Sequence, residues 1–177
     1  MTNLRLVLLI TLPSLIIIFL VFLLIGLYIK RRKQKVYNKV FDEIRSAMGS
    51  KVIQMYYKND SNYDIYVETQ YTKYFIRVLT DTKNKKLKID SNFNYFYEDK
   101  NGEKNITEQI GITTVMFNQI DVNKRVNKVI ILYPDVIQKI FYKSNVEARF
   151  IYQDFELQGC HILNFSEVKK FFSNVEV

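Results

Sequence analysis

Tyr63-Asp64-Ile65-Tyr66-Val67-Glu68-Thr69, then Gln70-Tyr71-Thr72-Lys73, then Tyr74-Phe75-Ile76-Arg77-Val78-Leu79 is the stretch on which the fold turns. Ile65 and Val67 alternate with Asp64, Tyr66 and Glu68, the period of two that sends successive side chains to opposite faces of a strand. The run from Tyr74 is aromatic and β-branched and of similar length, so the connection Gln70–Lys73 predicts a hairpin. Upstream, Val52, Gln54 and Tyr56 alternate with Ile53, Met55 and Tyr57 in an earlier strand, and Asp60-Ser61-Asn62 supplies turn chemistry. Before that, Val36, Val40, Phe41, Ile44 and Met48 fall on one face of a helix over 34–48, with Gly49 as its stop. The frame is a helix feeding three strands.

Downstream, Leu87–Asp90 against Phe93–Tyr97 predicts a second hairpin, and Asp99-Lys100-Asn101-Gly102 a tight turn. A helix is expected from about Ile106 to Ile120, then a short, nearly continuous apolar strand over Lys128–Tyr133 of the kind buried on both faces. Pro134-Asp135 opens an expected helix to about Tyr142. Strands follow near Ala148–Tyr152 and Cys160–Leu163, and Ser166 caps a last helix carrying Glu167, Phe171 and Phe172. Interleaved helices and strands give a mixed α/β domain, not a bundle or a β-sandwich.

The amino-terminal part reads differently. Leu6–Ile29 holds no charged residue and ends at Lys30-Arg31-Arg32-Lys33. As a helix it is roughly 36 Å long, enough to cross a ~30 Å hydrocarbon core. It is longer than a signal-peptide core and lacks a small-residue cleavage site, so a retained transmembrane helix is expected. Pro13, Ser14 and Gly26 leave room for helix packing within a membrane. Only Arg5 and the amino terminus are positive on one flank, against Lys30, Arg31, Arg32, Lys33 and Lys35 on the other. That asymmetry puts residues 1–5 outside and 36–177 in the cytoplasm, with 30–35 as a basic segment touching the membrane surface. The lone cysteine, Cys160, suits a reducing compartment.

Charge excludes a generally basic, nucleic-acid-coating domain. The chain has 26 basic and 18 acidic residues, but residues 1–35 hold six of the basic and none of the acidic ones; the remainder nets +2. His161 is the only histidine and neighbours Cys160 on an expected strand, which aims the two at opposite faces and rules them out as a nucleophile–base pair. No zinc-ligand spacing and no Gly-rich phosphate loop occurs. The Lys83, Lys85, Lys86, Lys88 cluster reads as a solvated loop face or as a contact for phosphates or lipid headgroups.

The carboxylates carry more. Asp64 on one strand followed by a Phe-Ile-Arg-Val-Leu strand has the layout of the restriction-endonuclease-like core: a helix, three strands, an Asp on the second and Glu-x-Lys on the third. Within that group the chain resembles the nuclease-related (NERD) domain over roughly residues 36–172. The resemblance rests on Glu43 in the opening helix, Tyr63-Asp64-Ile65, the extra hairpin, Gln109 opening the next helix, and the Val-Ile-Ile-Leu-Tyr-Pro strand ending at Pro134. It implies metal-assisted hydrolysis, with carboxylates holding Mg²⁺ and the lysine positioning water. Yet Arg77 stands at the position of the family's metal-binding Glu, and Leu79 at that of its Lys. Asp64 and Glu43 are therefore expected to pair with Arg77 as a remnant, with a guanidinium where the metal would sit.

The expectation is an inactive nuclease-like domain, without metal or other cofactor, that binds or scaffolds at the membrane. Its partners are the bilayer and a membrane protein or nucleic acid; the oligomeric state stays open. One alternative is a membrane-tethered, Mg²⁺-dependent nuclease using Asp64, or Asp90 with Glu98 and Lys100, which also spell Asp then Glu-x-Lys. Another is an accessory subunit of a membrane complex.

Overall fold

The computed structural model describes residues 2–58, 63–92, 94–110, 124–142, 147–151, 155–157 and 159–175, without the side chains of 2–14, 109 and 155. Two compact units result, residues 1–38 and 39–177.

Helix α1 spans Thr2–Met48, so its final turns from Lys39 belong to the second unit. In the first unit Leu15–Ile29 is exposed throughout, its large apolar side chains each 45–69% accessible. Among the described residues no helix is long and apolar enough to cross a membrane. The apolar run with described side chains is only Leu15–Ile29; the expected span's other residues, Leu6–Ser14, lie outside the described side chains.

The second unit is mixed α/β. After Met48 the chain turns through Gly49, whose φ of +55° is left-handed and favours glycine, into a 3₁₀ turn Gly49–Lys51. Strands β1 (Gln54–Tyr57), β2 (Ile65–Glu68) and β3 (Thr72–Thr80) form an antiparallel meander with Tyr57 opposite Ile65 and Ile65 opposite Ile76. Next come β4 (Lys86–Ile89), β5 (Tyr95–Asp99), β6 (Gly102–Asn105) and the short α2 (Thr107–Ile110). The chain continues with β7 (Arg125–Tyr133), β8 (Gln138–Tyr142), β9 (Ala148–Ile151), β10 (Phe155–Leu157), β11 (Cys160–Asn164) and α3 (Phe165–Ser173). One sheet has the order β1-β2-β3-β7-β11-β10, with β3, β7 and β11 parallel; the other has β6-β5-β4-β8-β9, with β4 and β8 parallel.

Register assigns the faces of the first sheet. Ile65, Val67, Tyr74, Ile76, Val78, Val129, Ile131 and Leu163 share one face and are buried. That face carries the helices: Phe41 of α1 stacks on Tyr57 at 4.6 Å, and Phe172 of α3 meets Tyr74 at 5.5 Å. Val40, Ile44, Met48, Val168 and Phe172 are buried there, each contributing about 1.5–3 kcal/mol. The opposite face, with Tyr66, Phe75, Leu79, Ile130, Leu132 and Ile162, joins Leu87, Ile89, Tyr95 and Tyr97 of the second sheet in one core cluster. The layers are helices, sheet, sheet.

Three expectations change. Pro134–Tyr142 is not a helix: Val136 N–H donates to Asn164 Oδ1 (3.2 Å) and Ile137 N–H to the Lys85 carbonyl (2.8 Å), and Gln138–Tyr142 then pairs with β4 and β9. A short apolar run rich in β-branched and aromatic residues is ambiguous in period, and these outside partners decide it. The N-cap of α3 is Asn164, not Ser166; it forms a capping box with Glu167, whose carboxylate accepts the Asn164 N–H at 2.7 Å. Strands β6 and β10 were not anticipated, because Gly-Glu-Lys-Asn is wholly exposed and lacks an apolar alternation. The predicted turn at Asp60-Ser61-Asn62, and residues beyond Ile110 of the predicted helix, lie outside the described residues.

Candidate functional site

Asp64 immediately precedes β2, and its backbone N–H donates to the Ile76 carbonyl at 2.8 Å, extending the β2–β3 ladder by one position. That places it directly across from Arg77, both on the face turned toward the second sheet. The Arg77 guanidinium donates to Asp64 Oδ1 at 3.3 Å, and the Val78 backbone N–H donates to Asp64 Oδ2 at 2.7 Å. The two side chains are 10% and 14% exposed, so the pair is held in a largely dry setting where a charge-assisted bond gains strength and a lost partner is costly. Its neighbours include Ile130, beside Arg77 on β7, Phe75, one position back on the same face and edge-on against Tyr63 (5.0 Å) and Tyr66 (5.3 Å), and Lys58, whose backbone N–H donates to the Asp64 carbonyl at 2.9 Å. The next residue of β3 on that face is Leu79, buried at 7% exposure.

The other sequence-derived candidates are not brought to this point. Glu43 is half-buried on α1, where the neighbouring Phe41 stacks on Tyr57 of β1 at 4.6 Å. The ion pair that Arg77 forms is the one with Asp64. Gln109 belongs to α2, but its side chain is outside the described residues. Asp90 closes the β4–β5 hairpin, accepting the N–H groups of Asn92 (2.9 Å) and Asn94 (2.8 Å) and the Asn94 side-chain amide (2.9 Å). Burial pushes its pKa up, but these donors together outweigh burial and hold the carboxyl below its ordinary value. Glu98 pairs in register with Lys86, four strand positions from Asp90, roughly 13 Å at ~3.3 Å per residue. It is engaged by Lys88 (3.2 Å) and Lys86 (3.6 Å). Lys100 is exposed in the turn where Asn101 N–H donates to Asp99 and Gly102 adopts a φ of +111°. Asp90, Glu98 and Lys100 do not converge.

A divalent cation needs several oxygen donors in one place. Among the described residues the Asp64 carboxylate faces an arginine and an N–H, and the next residue of β3 on that face, Leu79, is aliphatic. Among the described residues no cluster of three or more His, Cys, Asp or Glu is placed to hold a metal ion. The Arg77 guanidinium beside Asp64 disfavours a second cation at that carboxylate.

Two further charged networks were not anticipated. Lys139, on β8 with its side chain 2% exposed, donates to Glu167 at 2.8 Å and to the Ile162 carbonyl at 3.2 Å, tying the second sheet to the start of α3. A buried lysine inside an apolar run carries no sequence signal beyond its interruption of that run. Lys124 donates to Glu68 at 2.6 Å, and Tyr66 donates to the same carboxylate at 2.7 Å; these two hydrogen bonds pull the Glu68 pKa down. The loop lysines are largely engaged: Lys85 with Asp81, Lys86 with Glu98, and Lys88 with Glu98 and Glu103. Cys160 is buried and His161 faces the other way, against the Phe171 ring at 4.8 Å.

Comparison of the chain with family models, curated proteins and solved structures finds no match.

Proposed function

We propose that the protein is a membrane-tethered binding or scaffolding module whose second unit is a nuclease-like α/β domain (NERD type) with the catalytic position filled by an ion pair. The observation that carries this is the Asp64–Arg77 pair. A guanidinium 3.3 Å from the Asp64 carboxylate supplies the charge compensation that a metal ion would otherwise supply. The meander β1-β2-β3 running into a parallel β7 is consistent with the same family, as is Asp64 at the head of β2.

The tether is Leu6–Ile29. Support comes from its 24 uncharged positions and from the uniform exposure of Leu15–Ile29, an apolar surface far larger than soluble monomers present to water. The basic flank at Lys30–Lys35 supports a cytoplasmic side for the second unit. Its partner there is a membrane protein or a nucleic acid near the membrane.

The test has two arms. In alkaline-carbonate-washed membranes the chain stays in the pellet, and the purified chain leaves DNA and RNA intact with Mg²⁺ or Mn²⁺. Release by carbonate removes the tether. Metal-dependent cleavage that disappears in Asp64→Ala removes the inactive-site reading and restores the nuclease.

A further inference from the structure

We infer that Lys30, Arg31, Arg32, Lys33 and Lys35 form a collar that binds anionic phospholipid headgroups all around helix α1. The inference rests on the tether reading and adds a ligand class and a geometry to it. All five side chains are exposed, and the first acidic residue of the chain is Asp42. No carboxylate therefore lies within one helical turn of any of them to neutralise the group internally.

The angular distribution separates a crossing helix from one lying on the surface. At ~100° per residue, positions 30, 31, 32 and 33 point to four different quadrants, and Lys35 falls between the directions of Arg31 and Arg32. An interfacial helix instead sorts its charges onto one side and its apolar residues onto the other. Here neither sorting is present, since Leu15–Ile29 is exposed and apolar on every side.

The heights also agree. From Lys30 to Lys35 the helix rises roughly 7.5 Å, and one headgroup layer is ~5–8 Å thick. Tyr28, 67% exposed, sits two residues before Lys30, roughly 3 Å along the axis, where interfacial aromatics lie. Because the collar directly follows the apolar run, anionic lipid is the polyanion already in place around it, ahead of a nucleic acid in solution. Lys85, Lys86 and Lys88, engaged by neighbouring carboxylates, offer no comparable surface.

The full chain is reconstituted in phosphatidylcholine vesicles and probed with spin-labelled phosphatidylglycerol or phosphatidylcholine, measuring the motionally restricted lipid fraction. A comparison protein carries K30Q, R31Q, R32Q, K33Q and K35Q together. The wild type prefers phosphatidylglycerol at least about fivefold, the equivalent of ~1 kcal/mol for a single basic side chain at the surface. The preference shrinks with added salt and vanishes in the variant. Equal restriction of both lipids by the wild type, or an unchanged preference in the variant, overturns the collar alone. Capture of a DNA duplex by the wild type but not the variant, without lipid preference, also overturns it and makes the segment a nucleic-acid face. A chain washed from the vesicles by carbonate overturns the tether and the collar together.

Discussion

Breaking the Asp64–Arg77 pair from either side is expected to have unequal effects. In Asp64→Ala the guanidinium keeps its charge in a setting only 14% exposed, and the Val78 N–H loses its acceptor at the same time. Removing one partner of a buried pair costs about 3–5 kcal/mol, so a loss of ~4 kcal/mol is expected. In Arg77→Met the carboxylate keeps the Val78 donor, and methionine fills much of the space left by the arginine stem; the expected loss is ~3 kcal/mol. The double variant Asp64→Ala/Arg77→Met leaves no unpaired charge and falls about 2 kcal/mol short of the sum, within the range of directly contacting pairs. Urea unfolding of the full chain in mild detergent, followed by near-ultraviolet circular dichroism of its 13 tyrosines, measures all four corners; the chain has no tryptophan. Strict additivity, or single losses below about 0.5 kcal/mol, refutes the claim that the two groups hold each other in a dry site.

The same unfolding assay checks a second asymmetry. Glu167→Gln costs about 3–5 kcal/mol because the 2%-exposed Lys139 loses its opposite charge and keeps the neutral Ile162 carbonyl, whereas Lys139→Met costs ~2–3 kcal/mol because Glu167, 23% exposed, keeps water and the Asn164 N–H. Acid lowers stability through Glu68. Its folded pKa lies below the ordinary 4.5, so its contribution is full above that value and is lost as pH falls through the folded pKa; Glu68→Gln flattens the pH dependence of the urea midpoint below about pH 4.5. Burial pushes the Cys160 thiol up to about 12, so a thiol reagent at pH 8 labels it only after urea is added; labelling of the native chain at the denatured rate contradicts its burial.

The meander was legible because Tyr63–Leu79 combines a clean alternation with a short connection, and the register reproduces it down to Ile65 opposite Ile76. The helix over 34–48 was legible from its single apolar face, which the sheet covers at Val40, Ile44 and Met48. The second sheet was only half legible. Leu87–Tyr97 announced its hairpin, but β8 reads as a helix until Lys85 and Asn164 take the backbone donors of Ile137 and Val136, and no local pattern reports such distant partners. At the candidate site the pairing of Asp64 with Arg77 was expected from the resemblance, which set Arg77 at the family's metal-binding Glu position, and the two groups meet at 3.3 Å. Distant partners also hide Lys139, a buried side chain whose partner Glu167 lies 28 positions away on α3.

The most direct test of the filled site is Mn²⁺ binding by the purified full chain, read as loss of the free-ion electron paramagnetic resonance signal and compared with Asp64→Ala and with Arg77→Glu/Leu79→Lys. The expected result is no site-specific uptake by the wild type or Asp64→Ala, and uptake by the variant that places a second carboxylate across from Asp64. Stoichiometric uptake by the wild type that Asp64→Ala abolishes contradicts the account.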